Sequence, residues 1–189
     1  MRVEIAEPGG AVSGLITAGL IPLMLLAALG FLLSVAAHVA SIANIPLPGG
    51  QSIWLLHAGI FVVWLPTVLV AVRVTRGERR QDFWKALLSG CPRWMRISAY
   101  VLVVYVILNF LYFMATSSQV RHAAGDPPPS VIRGFSGHWM IFYGAAFMTL
   151  YSVIKRPALL GRSVCSNGHA VSRSDKFCPT CGTECGYNA

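Results

Sequence analysis

Acidic residues are scarce in this chain. Seven Asp and Glu stand against fifteen Lys and Arg in 189 residues, and charged residues of both signs make up only 12% of it. A soluble globular domain carries about twice that share. With 55% hydrophobic residues, the chain is too apolar for a water-soluble domain of this size. The long apolar stretches contain no carboxylate of the kind that proton-coupled transporters often use. No phosphate-cradling G-x-x-x-x-G-K-[ST] loop occurs, nor a Cys-x-x-Cys-His haem-attachment run, nor an internal repeat. The serines lie without a distinguishable base and acid. An enzyme is therefore unsupported, and a non-enzymatic role is the expectation.

What the chain does have is apolar length. A helix needs about 20 apolar residues to cross about 30 Å of hydrocarbon at about 1.5 Å per residue. Blocks of that kind lie at roughly 14–41, 52–74, 95–116 and 136–154. The expected fold is an all-α membrane protein, a four-helix transmembrane bundle over 13–156, antiparallel because short connections join neighbours. The first apolar run is about twice a signal-peptide core and has no basic n-region, so a retained helix is expected rather than a cleaved signal.

Charge sets the orientation. From Arg73 to Arg96 seven Lys/Arg face two acids, a net of +5, between two apolar blocks. Lys and Arg beside membrane spans stay on the cytoplasmic side. The loop 75–94 is therefore cytoplasmic, the loop 117–134 lies outside, and the tail 1–12 and the segment 163–189 are both cytoplasmic. Thirteen of the fifteen Lys/Arg fall in cytoplasmic segments, with only Arg121 and Arg133 elsewhere. That distribution fits a topology signal and anionic head groups rather than a nucleic-acid partner. The expected setting is a bacterial inner membrane, with the lipid bilayer, a cytoplasmic protein and a second copy of the chain as partners.

Local patterns add detail. Ala27, Gly30, Ser34, His38 and Ser41 recur at three- and four-residue steps, a small and polar face that turns towards other helices in lipid. Ser98, Tyr105, Asn109, Tyr112 and Thr116 mark such a face on the third block, and His138, Ala145, Thr149 and Ser152 on the fourth. Pro22 is expected to kink or weaken the first turns of the first span. Pro127-Pro128-Pro129 is expected to be extended polyproline in the outer loop. In the basic loop, Asp82 is expected to cap a helix over 83–89 closed by Gly90. Phe83, Trp84, Leu87 and Leu88 would form its one apolar face, flanked by Arg79, Arg80 and Lys85, suited to the head-group layer.

All five cysteines, Cys91, Cys165, Cys178, Cys181 and Cys185, lie on the inferred cytoplasmic side. Thiols stay reduced there, which favours metal ligation over disulfides. From Cys165 the composition turns polar. Cys178-Pro-Thr-Cys181-Gly182 is a turn whose amides face two thiolates, with Gly allowing a positive φ at its end. Cys165 with His169 is the nearest second pair, and such ligands suit zinc.

The pattern Cys165-x-x-Gly168-His169 followed by Phe177-Cys178-x-x-Cys181-Gly182 resembles the short zinc ribbons at the ends of bacterial proteins, membrane proteins included. It covers about 20 of the 189 residues. The resemblance implies a structural Zn2+ module with Cys165, His169, Cys178 and Cys181 as ligands. Many ribbons have Cys-x-x-Cys in both knuckles, whereas the first knuckle here offers one Cys, so Cys185 is the alternative to His169. So small a module needs its metal to fold. Its expected use is as a docking or regulatory tail.

The second constellation is His38, His57 and His138, all near the outer ends of their spans, with His122 in the outer loop. Imidazoles on facing helices can hold haem iron or a metal ion. The set is a candidate second site for haem b, copper or zinc, which would make the protein a small redox or metal-handling one. The alternative is interfacial hydrogen bonding to Ser34, Asn109, Tyr112 or water. A transporter subunit is a third reading.

Overall fold

A computed structural model describes residues 10–47, 49–76, 78, 80–116, 126–161, 164–169, 171 and 175–185, with side chains from Ala18 onward. The expected tail 1–12 up to residue 9, Pro48, Arg79, Arg121 and His122 lie outside the described residues. Four long helices, α1 (Gly10–Ile42), α2 (Leu55–Val74), α4 (Arg93–Thr116) and α5 (Pro129–Lys155), and one short helix, α3 (Phe83–Leu87), build the chain. Short 3-10 turns precede α2 and α3 and follow α5. Among the described residues there is no strand; Phe177 and Glu184 form an isolated antiparallel bridge.

Three stretches, Ala18–Ile42, Gly50–Val74 and Arg93–Thr116, are long and apolar enough to span a membrane. Their outer surfaces are apolar as well, with Leu32 64%, Leu55 72%, Leu69 73% and Leu108 61% exposed. A soluble monomer does not present so large an apolar skin to water. The combination fits membrane association.

α5 is not one of those three, and its place in the fold explains why. α1, α2 and α4 all pack on it. Trp139, Ala146, Leu150 and Val153 are fully buried along its length, with Ser136 and Ser152. A helix surrounded by protein needs no uniformly apolar surface, so it carries Ser, Gly, Tyr and Thr where α1, α2 and α4 carry exposed Leu and Val.

Small residues let the helices approach. The Tyr143 ring of α5 lies against Gly30 of α1, where any Cβ would run into it. Its hydroxyl lies 2.5 Å from where a Cβ at Gly59 of α2 would stand. That hydroxyl donates to the Leu56 carbonyl at 2.8 Å. Ala27, Ser34, His38 and Ser41 are buried on the same face of α1. α1 runs unbroken through Pro22, as α2 does through Pro66.

Other expectations are corrected. Pro128 is extended as expected, with φ of −66° and ψ of 153°, but Pro129 opens α5, so the run of prolines ends in a helix start. Proline suits the first helical position because its missing N–H has no partner there. α3 ends at Leu87, and Asp82 makes no side-chain cap. It pairs with Lys85 at 3.0 Å instead. Leu87 is buried with Val74, Val153, Leu159 and Leu160, and Phe83 packs on that cluster. Leu88 is buried with Cys91, Met95 and Met148. Of the four apolar residues only Trp84, 52% exposed, faces outward; the protein itself covers the rest.

On α4 only Asn109 of the expected polar face is buried. Ser98 and Thr116 donate to carbonyls of their own helix, Trp94 at 3.0 Å and Tyr112 at 2.9 Å. Such back-bonding removes any need for a neighbouring helix. On α5, Thr149 and Ser152 are buried but His138 is exposed.

Candidate metal centre

The 3-10 turn Pro157–Leu160 follows α5 and packs on α2. Arg73 Nε donates to the Leu160 carbonyl at 3.2 Å there, so the C-terminal segment leaves from the basic end of the helices. Two tight turns follow. In the first, Gly168 N donates to the Cys165 carbonyl at 2.8 Å and Cys165 N to the His169 carbonyl at 2.9 Å. In the second, Gly182 N donates to the Cys178 carbonyl at 2.8 Å and Cys178 N to the Thr183 carbonyl at 2.8 Å. Gly168 and Gly182 have φ of +79° and +69°, a left-handed backbone that favours glycine. Cys185 N donates to the Lys176 carbonyl at 2.7 Å and closes the second turn.

These turns bring the side chains of Cys165, His169, Cys178 and Cys181 together, with all four ligand atoms within 4.8 Å of one another. Cys165 Sγ lies 3.7 Å from Cys181 Sγ and 3.6 Å from His169 Nδ1. A tetrahedral zinc ion has ligand-to-ligand edges of about 3.8 Å between sulfurs and about 3.6 Å between sulfur and nitrogen, given its bond lengths. The observed separations match those edges. All five cysteines are free thiols, so the donor set is intact and suits a metal ion such as zinc.

Cys185 stands beside this set and outside it. It is buried, and its thiol points at the Thr183 carbonyl, 3.7 Å away. Burial pushes the Cys185 and Cys165 thiols up from the ordinary thiol range. Cys181 is the exposed member. The Thr183 hydroxyl, 3.2 Å away, and then the Thr183 amide hold its thiol at about 5. Hydrogen bonds to the charged form favour it.

Among its described residues the segment has almost no core without these groups. Its buried cluster is Cys165, Val171, Cys178 and Cys185, a single aliphatic side chain among thiols. Four thiolate and imidazole ligands would close the coordination shell, which is the arrangement of a structural site.

The histidines of the long helices divide into two places. His38 of α1 has both ring nitrogens engaged, Nδ1 with Ser136 Oγ at 2.7 Å and Nε2 with Tyr105 Oη at 2.5 Å. Ser136 donates its own proton to the Arg133 carbonyl at 3.1 Å. The hydroxyl therefore accepts from His38 Nδ1–H, and His38 Nε2 accepts from Tyr105. Asn109 extends the network, donating to the Arg133 carbonyl at 3.0 Å and accepting from Arg133 Nε at 3.2 Å. The Arg133 guanidinium lies over the Tyr112 ring, 4.6 Å from its centre.

His57 and His138 form the other place. Their rings stack with centroids 5.6 Å apart and planes at 15°. His57 Nδ1 accepts from the buried Trp139 indole at 3.1 Å. Among the described residues, the one group of three or more His, Cys, Asp or Glu with converging ligand atoms is the cysteine set. Trp139, Tyr143 and Arg133 had no partner assigned from sequence. Arg133 alone carried a signal, as one of two cations outside the basic segments.

Compared with known proteins, the chain matches no protein-family model, no curated protein and no solved structure.

Proposed function

We propose that this chain is a non-enzymatic integral membrane protein of a bacterial inner membrane, with a zinc ribbon that docks a protein on the cytoplasmic face. α1, α2, α4 and α5 form its four-helix transmembrane bundle, and both termini are cytoplasmic. The observation that carries this reading is the convergence of Cys165, His169, Cys178 and Cys181 on a polar segment leaving the basic end. The exposed Phe177, 60% accessible on the turn beside the cysteines, gives the ribbon an aromatic contact for a partner.

The rival reading, a small redox or metal-handling protein with haem b, copper or zinc at the outer histidines, draws on the stacked His57 and His138. His38 speaks against its own part in that site, since both of its nitrogens are engaged. A transporter subunit has no structural observation in its favour.

One preparation separates the readings. The detergent-purified full chain is expected to contain one zinc per chain, to be colourless, and to lose zinc in Cys178→Ser/Cys181→Ser. In-cell crosslinking is expected to yield a partner adduct that this variant abolishes. A Soret band, or metal that survives removal of the cysteines, would move the function to the outer histidines.

A further inference from the structure

The basic end carries a second surface. Arg80 is exposed in the 3-10 turn before α3, and Arg93 and Arg96 are exposed in the first turn of α4. Among the described residues the one ion pair at this end is Lys85 with Asp82, so these three guanidinium groups have no carboxylate partner there. Two tryptophans flank them, Trp84 at 52% and Trp94 at 68% exposure. Beside Trp94 and Arg96, Ile97 is also half exposed, which places apolar surface one step further along α4.

The display stands on a buried footing. Leu87, Leu88, Cys91 and Met95 are all buried beneath it. Gly90 N donates to Ser152 Oγ at 2.9 Å, and Cys91 Sγ donates to the Met148 carbonyl at 3.3 Å. The α3–α4 connection is thus fastened to the end of α5. A Cβ at Gly90 would collide with the Ser152 carbonyl, so the close approach is built into the sequence. Cations held at fixed positions lose less freedom on binding than cations on a loose loop.

From this arrangement we propose that the α3–α4 connection binds the head groups of anionic phospholipids, with Arg80, Arg93 and Arg96 on the phosphates and Trp84 and Trp94 at the level of the glycerol backbone. Guanidinium forks match phosphate oxygens, and tryptophan concentrates at the membrane–water boundary. Charge complementarity selects a lipid over a protein occupant, because the flanking surface is aromatic and aliphatic and continues into the lipid-facing side of α4. The proposal rests on the reading that the chain spans a membrane.

The test uses the full zinc-loaded chain, delipidated in neutral detergent, with phosphatidylglycerol, phosphatidylcholine or inorganic phosphate added back. Native mass spectrometry and thermal unfolding read the outcome. The wild type is expected to retain and be stabilised by phosphatidylglycerol over phosphatidylcholine, with inorganic phosphate giving no stabilisation. Arg93→Gln/Arg96→Gln is expected to weaken phosphatidylglycerol about thirty-fold, each surface charge contributing about five-fold, with phosphatidylcholine binding unchanged. Salt at roughly 0.5 M is expected to erase the preference in the wild type, a readout that holds even where the double variant does not fold. Equal retention of the two lipids by the wild type, or an anionic preference that survives the double variant or the salt, overturns the proposal. Failure of the membrane reading shows separately, as a chain that stays monodisperse without detergent.

Discussion

α5 and the cysteine segment at its far end bury their groups in opposite ways. α5 is covered by three neighbouring helices through small-to-large contacts such as Tyr143 between Gly30 and Gly59. Its polar groups are satisfied by other side chains and carbonyls, as with Tyr143 on Leu56 and Trp139 on His57. The segment from Val164 to Cys185 has three thiols and one valine as its buried cluster. Its turns are held by a handful of backbone hydrogen bonds. The first region owes its order to shape. On the proposed reading the second draws its order from a metal ion, because apolar area that small does not offset the entropy of ordering the chain.

The predictions that would break this contrast begin with the metal ligands. Cys178→Ser/Cys181→Ser is expected to remove metal binding, a term of about 10–16 kcal/mol in comparable small zinc modules. It is expected to leave the melting of the helices unchanged, as read by circular dichroism and inductively coupled plasma analysis. His169→Ala is expected to forfeit roughly 3 kcal/mol of zinc affinity, one ligand's share of that total. Cys185→Ser is expected to retain one zinc per chain, because its thiol faces Thr183 rather than the cluster. The reverse result for these two would make Cys185 the fourth ligand.

In the helices the largest effect is expected at the tightest contact. Gly90→Ala drives a Cβ into backbone at Ser152, and overpacking of that kind costs about 1–3 kcal/mol. Thermal unfolding in detergent is expected to shift down while zinc content holds. His38→Leu removes the bond to Tyr105 and one of the two bonds of Ser136 and is expected to cost about 1 kcal/mol, since bonds between membrane helices contribute modestly. Ser98→Ala is expected to fall within about 0.5 kcal/mol, because that hydroxyl bonds only to its own helix.

Much of this was legible in the sequence, and the reasons differ by region. The convergence of Cys165, His169, Cys178 and Cys181 follows from local spacing, and two glycine turns bring these side chains together without help from distant residues. The buried face of α1 was legible because Ala27, Gly30, Ser34, His38 and Ser41 follow helical periodicity. The face of α4 was legible in part: Tyr105 and Asn109 reach His38 and Arg133 on neighbouring helices, but its two ends do not. Ser98 and Thr116 are polar yet satisfied within the helix, and periodicity cannot separate that from interhelical bonding. The pairing of His57 with Trp139 and of Arg133 with Asn109 depends on how α2, α4 and α5 are rotated against one another. No single segment encodes that rotation. The α3 region failed for a similar reason, because Leu87 and Leu88 found protein partners on α5 and the turn beyond it.

Hydrogen–deuterium exchange on the detergent-purified full chain, with zinc and after chelation, tests the contrast most directly. Amides of 164–185 are expected to lose their protection when the metal is removed, while those of α1, α2, α4 and α5 keep theirs. Protection in 164–185 that is unchanged by chelation would contradict it.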